Sequence, residues 1–392
     1  MEKQKSNASV EIDLARIADE WPRSEDGSLY LNTGSCGVKP KCVLEALQRG
    51  AQKLNANPTD FTFLSTEAIE SARFEVASLF NIPEECLLFT SNTSFGLQLV
   101  LQSFLRLPQD ELITTDSEHG SLSAIARLLE EERQVTVKRC TITADLNDEQ
   151  LCQLLLRQVT PKTKLVVVSE IHCYSGWRPN LFPLVQQLKE AQIPLLVDGA
   201  HAPGQGPCSP SSYPMWVGSG HKWMGGPNGT AFVYVSRELI HHLRPLTIGD
   251  RYFEKYERPI QRFEWSGTAD NLRWLGLAAA CQLQGKLDIE KVERRQAQLV
   301  TYLRSRLSEM KHVTVRTPSK GRTTGLLAFT VDPAYVAVPD LRAYLWEQHK
   351  IWVQPDLKFG KPEHGARISC HVANSEEDLD HFIEAFSKAI KS

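Results

Sequence analysis

The stretch KLVVVSEIHCYSGWRPNLFPLVQQLKEAQIPLLVDGA, residues 164–200, contains two short apolar strand candidates that are separated by a helical segment. Residues 164–170 and 193–200 are rich in valine and leucine, whereas 181–191 has apolar residues at helical spacing. Apolar strands that alternate with amphipathic helices are typical of a mostly parallel sheet covered by helices on both faces. This stretch therefore predicts an α/β fold.

The same alternation extends along the chain on both sides of this stretch. Further strand candidates lie at 86–90, 111–116, 135–140 and 229–235, and helix candidates at 65–81, 95–107, 120–133 and 147–158. In such a sheet, ligands bind beyond the carboxyl ends of the strands. We therefore expect the functional residues to follow the strands.

The alternation of helix and strand candidates ends at about residue 270. A long helical stretch at 271–310 precedes short strand candidates and two more helices, 339–348 and 375–390. This order predicts a smaller α+β domain, with which the N-terminal residues pack. We expect a large domain at 31–265 and a small domain formed by 1–30 and 266–392.

The composition favours small-molecule chemistry. The 392 residues carry a formal net charge of -3, so the sequence has no basic footprint for nucleic acid, and no run of basic residues indicates a membrane surface. Nine scattered cysteines without a CxxC pair indicate reduced thiols. The N-terminus lacks the apolar core of a signal peptide. We expect a soluble cytoplasmic protein, and because His241 and His242 are adjacent we expect no metal site.

Polar residues at the strand ends indicate a cofactor. Thr93 and Ser94 open a helix, where they are either ordinary caps or ligands of a phosphate. Asp198 ends a very apolar strand, and a buried carboxylate needs a cationic partner. Lys222, in GSGHKWMGGPNG (218–229), is either a surface charge or a nucleophile whose pKa an apolar setting lowers. Pyridoxal phosphate would account for all of them, because it needs an amine, a carboxylate for its pyridinium nitrogen and a phosphate cup.

The order of the motifs SNTS, DSEHGS, DGAHAPG, GSGHKW, SGT and ARIS resembles the class V aminotransferase family of fold-type I pyridoxal phosphate enzymes. This family includes cysteine desulfurases, cysteine or cystine C–S lyases and isopenicillin N epimerase-like proteins. The resemblance runs from about Leu31 to the C-terminus and implies a mostly parallel seven-stranded sheet in the large domain. It also implies a homodimer with active sites at the interface and an amino acid as substrate.

The resemblance implies a role for each matching residue. Lys222 corresponds to the Schiff-base lysine, Asp198 to the partner of the pyridine nitrogen, His119 to the aromatic residue stacked on the ring and His201 to a contact of the phenolic oxygen. The phosphate cup corresponds to Thr93, Ser94, Ser219 and His221, with Thr268 reaching the phosphate of the neighbouring subunit. Arg367 corresponds to the arginine that binds the substrate carboxylate, and Asn32 lies where the N-terminal segment approaches the substrate. Without the other motifs, the segments around Thr268 and Asn32 would be interpreted as plain turns.

Two segments depart from the family pattern. Cysteine desulfurases carry a nucleophilic cysteine on the loop before the carboxylate-binding arginine, but residues 351–369 contain no cysteine. Cys370 follows Arg367 on the same predicted strand and is expected to be a packed thiol. His172 and Cys173 replace a His-Val-Asn type of strand end, so His172 is either a tolerated substitution or a substrate-specific acid or base.

These observations predict a lyase that breaks a C–S bond by β-elimination in a cysteine-derived or related amino acid. Its catalytic residues would be Lys222, His119 and His172, and it would lack a desulfurase-type cysteine. An aminotransferase or amino-acid epimerase of the same family is the alternative. A non-catalytic binding protein with the same fold is a third hypothesis.

Overall fold

The computed structural model describes residues 17, 19–143, 146–250, 252–255, 258–264, 267–319, 321–355 and 364–391, with the backbone alone at 60–66. Its largest element is a seven-stranded sheet with the strand order β2-β8-β7-β6-β5-β3-β4. The strands are β2 (Leu87–Thr90), β3 (Glu111–Thr115), β4 (Thr136–Cys140), β5 (Thr163–Ser169), β6 (Leu195–Gly199), β7 (Met215–Ser219) and β8 (Ala231–Val235). β8 runs antiparallel to both of its neighbours and the other pairs are parallel, which confirms the predicted mostly parallel seven-stranded sheet.

Helices accompany this sheet in the predicted alternation. They are α1 (Lys41–Ala56), α2 (Pro58–Phe80), α3 (Thr93–Phe104), α4 (Gly120–Arg133), α5 (Asp148–Leu156), α6 (Phe182–Glu190) and α7 (Leu272–Gln284). Both sheet faces are covered: Val166 and Val168 of β5 belong to one hydrophobic cluster, and Leu165 and Val167 to another. A strand buried on both faces has no polar alternation. This explains the unbroken apolar run in the sequence.

A second, antiparallel sheet has the strand order β12-β13-β10-β9. The remaining elements are β1 (Leu29–Tyr30), α8 (Ile289–Ser308), β9 (Val313–Val315), β10 (Leu326–Val331), α9 (Leu341–His349), β11 (Ile351–Trp352), β12 (Gln354–Pro355), β13 (Gly365–Ser369) and α10 (Glu376–Ser387). β1 pairs in parallel with β11, so the N-terminal segment contacts the C-terminal part of the chain. Leu31 joins the hydrophobic cluster of this part, whereas Leu277 of α7 joins the cluster of the large sheet. The domain boundary at 265 and 266 stays a prediction.

Three elements differ from the sequence-based expectations. β7 was not among the strand candidates, because its last two residues, Gly218 and Ser219, belong to the Gly-rich motif. α1 was not among the helix candidates. It is largely polar, and only Val43 and Gly50 are buried, so it has no long apolar face in the sequence. The long helical stretch is divided into α7 and α8, because the Asp288 side chain accepts hydrogen bonds from the Glu290 and Lys291 amides and caps a new helix.

No helix within the described part of the chain combines the length and the apolar character needed to span a membrane.

Arg73 of α2 forms a buried link between α2 and the start of β2. Its guanidinium donates to the Glu264 carboxylate at 2.5 Å and to the Leu87 carbonyl at 2.7 Å. The other Glu264 oxygen accepts from the Phe89 amide at 2.8 Å. Burial raises the pKa of the Glu264 carboxyl, so this carboxylate depends on the arginine to remain charged.

We predict that Arg73→Met lowers the free energy of unfolding by about 3–5 kcal/mol, because it leaves the Glu264 carboxylate buried without its cation. Urea unfolding followed by circular dichroism measures the loss. Adding Glu264→Gln should restore part of it, since no buried charge then remains. Arg49→Met removes an exposed pair with Glu45 at 3.5 Å and should change the stability by less than about 1 kcal/mol. Equal losses in the two single variants would contradict the prediction.

Candidate active site

A cavity of about 270 Å³ lies at the carboxyl ends of the parallel strands. Seven of the predicted site residues line it: Thr93, Ser94, His119, His201, His221, Lys222 and Arg367. A smaller cavity shares several of these residues and adds Asp198 from the end of β6. The structure therefore brings together residues that are up to 274 positions apart, from Thr93 to Arg367.

Four predicted residues lie outside the described lining of these two cavities. Asn32 is buried and contacts Arg367. Ser219 is buried, and its hydroxyl is 3.2 Å from Nδ1 of His221. The His172 ring is buried and stacks on Trp177 at a centroid distance of 5.1 Å, while the adjacent Cys173 lines both cavities. Thr268 is exposed.

The N-terminus of α3 opens into the cavity. The helix is capped by Asn92, whose side-chain oxygen accepts from the Phe95 amide at 2.8 Å. Thr93 and Ser94 therefore do not act as the cap, and both line the cavity. Free backbone N–H groups and the helix dipole at this end favour an anion. The first turn of α3 is thus suited to a phosphate group.

Lys222 ends a chain of hydrogen bonds that starts at Trp223. The indole N–H, which can only donate, lies 3.4 Å from Nδ1 of His201. Nδ1 of the neutral ring therefore accepts, and the ring proton is on Nε2, which lies 3.1 Å from Nζ of Lys222. Burial lowers the pKa of His201 well below its usual value, so the ring is neutral. A neutral Nε2–H donor requires a neutral amine as its acceptor.

The surroundings of Lys222 also favour the neutral amine. Burial lowers its pKa to about 8, although the Asp198 carboxylate opposes the shift. Asp198 is itself buried, and one carboxylate oxygen accepts from the Ala200 amide at 3.0 Å. A pKa near 8 gives the amine a substantial neutral fraction near physiological pH, and the neutral amine is a nucleophile and a base.

His119 presents a neutral imidazole to the cavity. It caps α4, with Nδ1 accepting from the Ser121 amide at 3.1 Å, so the ring proton is on Nε2. Burial, and then the charge of Lys222, lower the pKa of the ring. A neutral flat ring at this place is suited to stacking on an aromatic cofactor.

The N-terminal segment closes over the backbone of Lys222. The Gly37 amide donates to the His221 carbonyl at 2.7 Å. A Cβ atom at Gly37 would lie 2.0 Å from the Lys222 carbonyl oxygen, so no larger residue fits without moving the backbone. The glycine in the LNTGSCG motif is therefore required by this close approach.

Arg367 of β13 lines the cavity, and one of its nitrogens is buried without a partner in the part of the chain that the structure describes. Its NH1 group donates to the Cys173 carbonyl at 2.8 Å, and NH2 donates to the Ser35 hydroxyl at 3.1 Å. Its Nε is buried and has no hydrogen-bond partner among the described residues. A buried guanidinium N–H without a partner is suited to an anionic ligand such as a carboxylate.

Sequence reasoning missed several residues of the site. Ser35, Tyr174 and Gln354 line the cavity. Glu118 is buried behind it, where burial raises the pKa of the carboxyl to about 7 despite hydrogen bonds from Ser169 and Thr115. The only sequence signal for Glu118 was its place in the DSEHGS motif, and Gln354 had none.

Comparison with known proteins decides the family. The profile described as Aminotransferase class-V matches residues 29–382. The chain belongs to the class-V aminotransferase family.

Class-V relatives cover almost the whole chain. An isopenicillin N epimerase from Amycolatopsis lactamdurans is 26% identical over 387 residues, covering 92% of this chain and 95% of the relative. A probable cysteine desulfurase from Pyrococcus abyssi (strain GE5 / Orsay) is 27% identical over 389 residues, covering 93% and 94%.

Solved structures of the cystine C–S lyase C-DES have the same fold. The complex of C-DES with its reaction product cysteine persulfide superimposes with a TM-score of 0.83, at 24% identity, over 93% of this chain and 98% of that one. A lysine-to-alanine mutant of C-DES contains glycine covalently linked to its pyridoxal phosphate cofactor. The predicted fold-type I architecture is confirmed.

This class-V chain is a pyridoxal phosphate-dependent enzyme. Its residues fit the cofactor: the α3 N-terminus suits the phosphate, the Lys222 amine suits the aldehyde, and the free oxygen of Asp198 suits the pyridine nitrogen. The hypothesis of a non-catalytic binding protein is therefore wrong.

We predict that the rate at which the apoenzyme binds pyridoxal phosphate increases with pH, with a midpoint near 8. Burial lowers the pKa of Lys222 from 10.5 to about 8, and only the neutral amine attacks an aldehyde. Stopped-flow measurement of the visible absorbance gives the rate. Dividing it by the rate for Nα-acetyl-lysine in the same buffers cancels the ionisation of the cofactor. A ratio that stays constant over the whole pH range would contradict the lowered pKa.

Proposed function

We propose that this enzyme is a C–S lyase that releases the β-thiolate of a cysteine-derived or related β-substituted amino acid. Residues 351–369 lack the cysteine that a desulfurase uses to accept sulfur, and this observation carries the proposal. The activity in the name of C-DES supports the same class of reaction.

The substrate carboxylate would bind the Arg367 guanidinium where it lines the cavity, with Asn32 and Ser35 holding its NH2 group. This contact would place the α-carbon of the amino acid over the Lys222 amine. When bound, pyridoxal phosphate supplies an electron-withdrawing ring that stabilises negative charge at the α-carbon. Lys222 would take the α-proton, Asp198 would hold the pyridine proton, and His119 would stack on the ring.

We predict that the holoenzyme forms pyruvate from L-cystine without an added keto acid, and that Lys222→Ala lowers the rate by at least about 1,000-fold because the variant loses its general base and covalent anchor. Lactate dehydrogenase coupling measures the pyruvate. Lys189→Ala, on the exposed end of α6, is the matched control and should keep the wild-type rate. Alanine as the main product would indicate a desulfurase instead, and a strict need for a keto acid would indicate an aminotransferase.

Amino-acid epimerisation is the second candidate function. It requires a proton donor in addition to the base, and Cys173 lines both cavities beside Lys222. Burial raises the pKa of the Cys173 thiol to about 11, so the thiol keeps its proton. The isopenicillin N epimerase relative supports this candidate. Chiral chromatography of L-alanine incubated with the enzyme tests it, because an epimerase would form D-alanine.

We also propose a homodimer in which Thr268 contacts the phosphate of the cofactor in the partner subunit. Within its own chain Thr268 is exposed and is not part of the cavity lining that the structure describes. Exposed apolar side chains nearby in the sequence, Phe253 at 88% and Ile248 at 62%, are suited to an interface.

Subunit complementation tests this arrangement. We predict that Thr268→Ala weakens cofactor binding by about 10-fold or more, because it removes a hydrogen bond to a charged group. A hybrid of a Thr268→Ala subunit with a Lys222→Ala subunit would contain one intact site and should regain activity at low cofactor concentration. If Thr268 acts within its own subunit, or if the enzyme is a monomer in sedimentation analysis, mixing restores nothing.

A further inference from the structure

Gln354 lies opposite Arg367 at the end of the cavity that is suited to the substrate carboxylate. The two residues are direct partners in the antiparallel pair of β12 and β13. Both also line the cavity. Arg367 and Gln354 therefore line the same cavity from neighbouring strands.

The hydrogen bonds around Asn32 fix the orientation of the Gln354 amide. Arg367 can only donate, so the Asn32 group that lies 3.4 Å from NH2 of Arg367 is the side-chain oxygen. The Asn32 amide nitrogen then faces Gln354, at 3.3 Å from its side-chain oxygen. The Gln354 group that faces Asn32 is consequently the acceptor Oε1.

Ser35 supports the same orientation. Its hydroxyl oxygen accepts from Arg367 at 3.1 Å and lies 2.9 Å from both Oε1 of Gln354 and Oδ1 of Asn32, to either of which it can donate its one proton. Oε1 of Gln354 thus faces two groups that can donate, the Ser35 hydroxyl and the Asn32 amide. Its Nε2 group, with two N–H donors, has no hydrogen-bond partner among the described residues and belongs to a side chain on the cavity wall.

We infer that Nε2 of Gln354 is the second donor to the substrate carboxylate, beside the Arg367 guanidinium, and that Gln354 thereby sets the affinity for the carboxylate end of the substrate. This inference rests on the proposed function, in which an amino acid is the substrate. A carboxylate has two oxygens with about four acceptor positions, so it can accept from the guanidinium and from a neutral amide together.

Two substitutions separate a contact with the ligand from support of Arg367. Gln354→Glu keeps an oxygen facing Asn32 and Ser35 but replaces the donor group with a negatively charged acceptor. Gln354→Met, of similar length, removes both the donor and the acceptor. Gln186→Glu makes the same chemical change on the exposed face of α6 and is the matched control. Arg367→Lys is the positive control for loss of carboxylate binding.

Two analogues of alanine, each lacking one of its charged groups, are added to the holoenzyme. Propionate has the carboxylate without the amine, and ethylamine has the amine without the carboxylate. Titration calorimetry and the visible spectrum of the cofactor give their dissociation constants. We expect Gln354→Glu to raise the dissociation constant of propionate at least about tenfold, because like charges are brought together. The dissociation constant of ethylamine should change by less than about twofold. Gln354→Met should raise the dissociation constant of propionate about three- to tenfold.

Propionate binding that is unchanged in Gln354→Glu but weakened in Gln354→Met would overturn the inference, because Gln354 would then only support Arg367. Equal weakening of propionate and ethylamine in Gln354→Glu would overturn it as well, since the whole site would be disturbed. If the wild-type holoenzyme responds to neither L-alanine nor propionate, the proposed function fails and the inference fails with it. A response of the wild type together with an insensitive Gln354→Glu variant overturns the inference alone.

Discussion

The burial of the Lys222 amine beside a buried carboxylate is the constraint on which the site depends. Water would hold this amine as an ammonium, and burial removes that solvation, which lowers the pKa to about 8. Asp198 acts in the opposite direction and favours the charge. The hydrogen bond from the neutral His201 ring reinforces burial, because an Nε2–H donor can only be accepted by a neutral amine. The amine is therefore balanced near the pH at which it has to act.

This balance requires residues from distant parts of the sequence to lie close together. Two features of the fold bring them together, the parallel strands and the N-terminal segment. The parallel strands bring Asp198, Ser169 and Ser219 to one edge of the large sheet, where β5 and β6 place Ser169 directly beside Asp198. The N-terminal segment is the second feature, because Gly37 lies against the Lys222 carbonyl. The same segment carries Asn32 and Ser35 to Arg367. The same short segment of the chain thus contacts both Lys222 and Arg367.

The sequence was sufficient for features that follow from periodicity, and insufficient for those that depend on side-chain direction. Apolar runs located six of the seven large-sheet strands, but β7 was hidden because its residues merge into a Gly-rich motif. Of the neighbours His172 and Cys173, residue type favoured the histidine, whereas the structure places Cys173 at the cavity and stacks the His172 ring on Trp177. Gln354 becomes visible only through its register opposite Arg367, which a sequence does not reveal.

The same physical effect prepares a base and an acid within one cavity. Burial favours the neutral form of every ionisable group, so it lowers the pKa of the Lys222 amine and raises that of the Cys173 thiol to about 11. A neutral amine accepts a proton, and a neutral thiol donates one. In the proposed function, the direction of proton transfer would follow from which side chain faces the substrate carbon, and the Arg367 guanidinium would decide this by fixing the carboxylate. The fate of the substrate would accordingly depend on its orientation at the Arg367 end, because burial prepares both the amine and the thiol for proton transfer.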